Sequence, residues 1–149
     1  MSLIIEKATT ADIPALAKLL SELFNQEEEF TPDPQAQTKG LTKIITHPEI
    51  GNVILARKEE KVVGMVNLLF SVSTALGKRV ALLEDMIITQ STRQAGIGTK
   101  LLTEAISYAK AEGCKRITLL TDTTNIDAQR FYKKQGFALS TMVPMRLSI

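Results

Sequence analysis

Cysteine, histidine and tryptophan are almost missing from this chain, and each shortage closes a class of function. Cys114 is the one cysteine, so no internal disulfide can form and no cysteine cluster can hold a metal. A chain without disulfides suits a reducing compartment, and a cytoplasmic location is the expectation. The single histidine, His47, stands before Pro48 in a polar, turn-like stretch and reads as a surface residue rather than a ligand or a base. With no second histidine, a histidine-rich metal site is not expected. No apolar run approaches the length of a membrane span, and the opening residues show no basic leader, so no membrane partner is expected. Neither sign of charge dominates: 18 lysines and arginines face 16 aspartates and glutamates, a net charge of +2. Such a balance leaves no footprint for nucleic acid.

What remains is an ordinary core-forming composition, 44% apolar over 149 residues, enough for one domain spanning residues 1–149. Residues 3–8 read as a strand. Ile13, Leu16, Leu19, Leu20 and Leu23 then recur at helical spacing behind Thr9 and Thr10, with Pro14 tolerated in the first turn. Residues 26–34 are acidic and proline-bearing and read as a mobile loop; residues 37–46 read as a second helix. Residues 52–57 and 62–73 form a strand hairpin about a polar turn, and 79–89 a further strand. Ile97, Leu101, Ala105 and Ala109 mark an amphipathic helix ending before Gly113. A short strand at 116–121, a helix at 125–135 closed by Gly136, and terminal strands at 137–142 and 145–148 complete the order. The expectation is an α/β fold of the α+β type: a mixed, mostly antiparallel sheet flanked by about four helices.

The densest chemistry lies where the strand ending at Thr89 runs through Gln90-Ser91-Thr92-Arg93-Gln94-Ala95 into Gly96-Ile97-Gly98-Thr99-Lys100. A helix N-terminus offers unpaired backbone N–H groups and a positive dipole end. Glycines let a phosphate approach those amides, and Arg93 adds a permanent cation. The ligand implied is an anion, most simply a pyrophosphate. Leu101 stands where a dinucleotide fingerprint needs its third glycine. Lys100 has no glycine five residues before it, as a nucleoside-triphosphate loop requires.

The R-x-x-G-x-G form on a strand-to-helix turn resembles the acetyl-coenzyme A signature of the GCN5-related N-acetyltransferases. A second run, Asn125-Ile126-Asp127-Ala128-Gln129-Arg130-Phe131-Tyr132 followed by Gly136-Phe137, is similar to the same family's N-x-x-A-x-x-x-Y-x-x-x-G-F pattern. The resemblance is specific from Leu83 to Phe137 and topological before that. Gln90, where the family often has proline, and Phe131, where an aliphatic residue is common, are mild departures. The resemblance implies that the amides of Arg93, Gln94, Ala95, Gly96, Ile97, Gly98 and Thr99 hold the coenzyme A pyrophosphate. It implies that the backbone of Met86, Ile87 and Ile88 pairs with the pantetheine arm like an added strand. Asn125 caps its helix and offers its amide to the coenzyme, beside the small Ala128. Tyr132, two turns on, faces the same way and is the expected acid for the departing thiolate. Phe131 and Phe137 read as core.

An alkyl amine with a pKa near 10 is roughly 99.9% protonated at pH 7, so freeing it costs about 4 kcal/mol. Glu84 and Asp85 sit on the strand entering the cradle, and alternation sets them on opposite faces. Leu83-Glu84-Asp85 resembles the L-E-D run of polyamine acetyltransferases, which implies Glu84 as the base, acting through water. Backbone N–H groups near Ile87 and Ile88 would polarise the thioester carbonyl. The expectation is an N-acetyltransferase passing the acetyl group of acetyl-CoA, with no metal, to a primary amine of a small molecule or peptide by direct attack in a ternary complex. The alternative is a catalytically silent acyl-CoA sensor, and the expected state is a monomer or homodimer. Cys114 reads as an inert thiol rather than an acyl carrier. Glu27, Glu28, Glu29 and Asp33 read as a solvated loop rather than a substrate determinant.

Overall fold

The computed structural model describes residues 2–26, 31–92 and 96–149. It falls into two compact units, Met1–Leu119 and Leu120–Ile149, each described below by itself.

The first unit is built on a five-stranded sheet in the order of the chain: β1 (Leu3–Lys7), β2 (Gly51–Lys58), β3 (Lys61–Ser73), β4 (Lys78–Ile88) and β5 (Ile117–Leu119). The first four strands are antiparallel, and β5 joins β4 in parallel. Helices α1 (Ile13–Gln26) and α2 (Pro34–Thr46) precede β2, and α3 (Ile97–Ala111) links β4 to β5. The expected mixed, mostly antiparallel sheet is therefore present.

Strand alternation divides the core. Val53, Leu55, Met65 and Ile87 pack with Leu16, Leu19, Leu20 and Leu41, so α1 and α2 cover one face. The intervening Ile54, Ala56, Val66 and Leu68 are equally buried. They share the other face with Gly64, where a Cβ would stand 3.4 Å from Leu101 of α3. Burial on both faces explains why β2 and the middle of β3 read as near-continuous apolar runs.

Sequence and structure differ at the element ends. Helix α2 starts three residues earlier than expected, because Pro34 occupies its first turn and the Asp33 side chain accepts the Ala36 N–H at 3.2 Å. The expected strand at residues 116–121 shortens to Ile117–Leu119.

In the second unit, α4 (Ile126–Lys134) forms as expected, but the terminal strands at 137–142 and 145–148 do not. Leu139, Met142, Val143, Met145 and Leu147 are exposed. Their composition suits a strand, but a strand is defined by a paired ladder, and composition alone does not supply the partner.

One ion cluster fixes the start of α1. Arg57 of β2 donates to Asp12 at 2.8 Å and to Glu6 at 3.2 Å, while the Asp12 carboxylate also accepts the Thr9 N–H at 2.9 Å. Burial alone would raise the Asp12 pKa, but these donors outweigh it and hold the carboxyl below its ordinary value. Its stabilisation is present above about pH 4 and lost as pH falls. Asp12→Ala is expected to lower stability by about 1–3 kcal/mol at neutral pH, because a half-buried guanidinium loses its closest partner. Urea unfolding checks this; a loss below about 0.5 kcal/mol would show that the cluster holds nothing.

Candidate active site

Strand β4 is interrupted where the chemistry lies. Glu84 pairs with Asn67 and Ile87 with Met65, so Asp85 and Met86 together oppose Val66 alone. This is a β-bulge. Asp85 takes a left-handed backbone, φ 56°, a conformation that costs most residues roughly 1–2 kcal/mol and that aspartate and asparagine tolerate best. The expectation that Glu84 and Asp85 face opposite layers fails for this reason. Glu84 is the cross-strand neighbour of Asn67, and Asp85 turns its carboxylate to the same residue, accepting the Asn67 Nδ2–H at 2.7 Å.

The two carboxylates differ in surroundings. Glu84 is exposed, whereas Asp85 is half-buried. Burial, and then the charge of Glu84, push the Asp85 carboxyl up to about 6, against the pull of the Asn67 hydrogen bond.

Asp85 and Asn67 form the sheet side of a cavity of about 250 Å³ beneath α1 and α2. Its apolar wall includes Leu20, Phe24, Leu41 and Ile44. Gln37 also lines it, with its side chain fully committed: Nε2 donates to the Ala17 carbonyl and to Ser21 Oγ, and Oε1 accepts the Asp33 N–H. That network ties α2 to α1 and fixes Asp33, which lines the wall together with Thr31.

Beyond the bulge the edge of β4 opens. Its pairing with β5 covers Ala81–Leu83 and stops there, although β4 runs on to Ile88. Ile87 is buried, with Met86 and Ile88 half-buried. A 3₁₀ turn follows at Gln90–Thr92, held by Thr89 and Thr92 hydroxyls 2.7 Å apart. Gly96 then caps α3 at φ 77°, in the left-handed region that glycine alone enters freely. The first intrahelical bond runs from the Lys100 N–H to the Gly96 carbonyl at 3.2 Å, so the amides of Ile97, Gly98 and Thr99 precede the helical ladder. Arg93, Gln94 and Ala95 lie outside the described residues, as do Glu27, Glu28 and Glu29.

In the second unit the Asn125 side chain accepts the Ala128 N–H at 3.0 Å, which caps α4 and leaves the Asn125 NH₂ to donate elsewhere. Gly136, at φ 100°, reverses the chain so that the Phe137 N–H reaches the Tyr132 carbonyl at 3.2 Å. Phe137 and Phe131 meet the Tyr132 ring edge-on, at centroid distances of 5.7 and 5.2 Å. The two phenylalanines therefore orient the tyrosine. Burial pushes its phenol up to about 12, so it stays protonated at any physiological pH.

Cys114 is half-buried and its thiol is pushed up by burial, the surroundings of an unreactive cysteine. Among the described residues no group of three or more His, Cys, Asp or Glu is placed to hold a metal ion, and no helix is long and apolar enough to cross a membrane.

Sequence reasoning missed Asn67 and the cavity. The signal was there: one amide between Val66 and Leu68 in an otherwise apolar strand, buried to 3% exposure, is a group whose hydrogen bonds must be accounted for.

Comparison with known proteins identifies the family. Residues 13–137 match the model of the acetyltransferase (GNAT) family. An uncharacterised N-acetyltransferase of Bacillus subtilis, YhfO, is 30% identical over 92% of this chain and 91% of its own. An aminoalkylphosphonate N-acetyltransferase of Salmonella typhimurium is 27% identical over 89% and 83%. The crystal structure of a predicted acetyltransferase with acetyl-CoA from Clostridium acetobutylicum superposes with a TM-score of 0.83, at 18% identity over 99% of this chain and 96% of that one. The chain belongs to the GCN5-related N-acetyltransferase family and is an acyltransferase.

The surroundings of Asp85 yield a stability test. Its folded pKa, about 6, lies above the ordinary 3.8, so the folded state holds the proton more tightly than the unfolded chain. Stability from this group is full below about pH 4 and is lost as pH rises through 6. Among the described residues, Glu84 and Asp33 are the other acids near it. Asp85→Asn keeps the left-handed backbone acceptable and removes the charge. Its unfolding free energy is expected to stay level between pH 4 and 7, where the parent loses up to about 3 kcal/mol. Parallel pH profiles from chemical denaturation would refute this.

Proposed function

We propose that the protein transfers the acetyl group of acetyl-CoA to a small primary amine by direct attack in a ternary complex. The observation that carries this is the course of β4: its edge leaves β5 after Leu83, its bulge turns a carboxylate toward a cavity, and it then leads to a left-handed glycine at a helix N-terminus. One strand thereby addresses both substrates.

On this reading the pantetheine arm adds to β4 along Met86, Ile87 and Ile88. The pyrophosphate meets the turn from Arg93 to Thr99, where Gln94, Ala95, Gly96, Ile97 and Gly98 supply amides. Asn125 and Ala128 flank the coenzyme. The cavity under α1 and α2 takes the acceptor, and the relative acting on an aminoalkylphosphonate supports a small amine. Glu84, exposed beside Asn67, takes the amine proton through water. The free amine attacks the thioester carbonyl, polarised by N–H groups near Ile87 and Ile88.

Tyr132 has a narrower part than an ordinary acid. A phenol at about 12 gives its proton unfavourably to a thiolate of ordinary pKa near 8.5. It therefore stabilises the departing sulfur by an O–H hydrogen bond more than by complete transfer. Tyr132→Phe is expected to lower kcat about ten- to a hundredfold with little change in acetyl-CoA affinity. A variant with full kcat would remove Tyr132 from the reaction.

The reading as a whole is tested by mixing the protein with acetyl-CoA and a panel of small primary amines and following free thiol. Amine-dependent release is expected. Calorimetric binding of acetyl-CoA without release on any amine would favour a silent acyl-CoA sensor, and no binding at millimolar acetyl-CoA would end both readings. A monomeric or homodimeric cytoplasmic enzyme is consistent with this reaction.

A further inference from the structure

The sheet side of the cavity is unusually short of donors. Asp85 Oδ2 receives the Asn67 amide at 2.7 Å. Asn67 Oδ1 is buried, with no partner among the described residues. A buried acceptor left unpaired is costly, and one standing beside a carboxylate calls for a ligand bringing several N–H groups. Asparagine cannot relieve this by flipping while Asp85 is charged, because only its NH₂ can donate to the carboxylate.

The rest of the lining narrows the ligand further. Leu20, Phe24, Leu41 and Ile44 are apolar, and Gln37 is already satisfied. Among the described residues the lining carries two carboxylates, Asp33 and Asp85, and no lysine, arginine or histidine. An anionic substituent would meet like charge and find no cation to pair with. The volume, about 250 Å³, equals that of about eight water molecules, so the ligand is compact.

Taking the cavity as the acceptor site, as the proposed function does, we propose that Asp85 and Asn67 bind the ammonium group of the acceptor and select a primary amine on a compact apolar body without an anionic group. Asp85 is the specificity-determining residue. Asn67 positions it through the 2.7 Å hydrogen bond and offers its own oxygen to the same ammonium.

Calorimetry on the full chain saturated with coenzyme A tests this without requiring turnover. The probes are 2-phenylethylamine, which has an apolar body, and 2-aminoethylphosphonate, which carries an anion. The first is expected to bind at least tenfold more tightly. Asp85→Asn, which the left-handed backbone tolerates, is expected to weaken its binding at least fivefold while coenzyme A affinity holds. Equal or tighter binding of the phosphonate overturns the proposal, and the wild-type comparison decides this even if the variant folds poorly. A folded Asp85→Asn protein that loses less than fivefold also overturns it. Thiol release from acetyl-CoA is measured in parallel. Selective amine binding without release leaves this assignment standing and sinks the transfer reaction. Release with the phosphonate preferred does the reverse.

Discussion

The site depends on one extra residue in β4. Because Asp85 and Met86 together face Val66, the ladder with β3 slips by one position between Glu84 and Ile87. A regular strand would send Asp85 to the face covered by α3, away from the cavity. The bulge keeps its carboxylate on the α1 and α2 face, against Asn67. It also increases local twist, and β5 parts from β4 immediately before it, at Leu83. An acid turned into a cavity and a strand edge released from its neighbour are thus two results of the same local distortion. The left-handed backbone at Asp85 is its cost, and the hydrogen bond from Asn67 helps to offset it.

Helix positions support this arrangement from two sides. On one face, Gln37 locks α2 to α1 through the Ala17 carbonyl and Ser21, and Arg57 holds the start of α1 through Asp12. The cavity therefore has walls set by buried polar contacts as well as by apolar packing, which can slide more freely. On the other face, Leu101, Leu102, Ala105 and Ala109 press α3 onto the sheet. This fixes where its first-turn amides stand relative to the end of β4.

Much of the fold was legible in the sequence. Helical recurrence of apolar residues gave α1 and α3, and Gly113 and Gly136 both adopt the positive φ that a helix-terminating glycine permits. The resemblance in residues 83–137 named the family correctly. The bulge was not legible, since Leu83 to Ile88 contains neither glycine nor proline and reads as an unbroken strand. The left-handed aspartate is held by a partner 18 residues away that donates to its carboxylate, a tertiary fact invisible to local pattern. The terminal strands failed for the opposite reason. Residues such as Val143 and Leu147 carry a strand signal, but pairing requires an edge to pair with.

Environment, rather than residue type, separates the two neighbouring acids. Adjacent in sequence, Glu84 and Asp85 differ in exposure, and only Asp85 lines the cavity. An exposed carboxylate in contact with water can pass a proton to solvent, as a base in repeated turnover must. A buried carboxylate with a fixed amide neighbour is better suited to holding a cation in place, because an ammonium ion replaces the water that burial removed. Binding that cation tightly would also oppose its deprotonation, so one group serving both purposes would work against itself. Two acids, one before the bulge and one within it, escape that conflict under the proposed function: Asp85 would retain the amine while Glu84 would draw off the proton as the nitrogen approached the thioester.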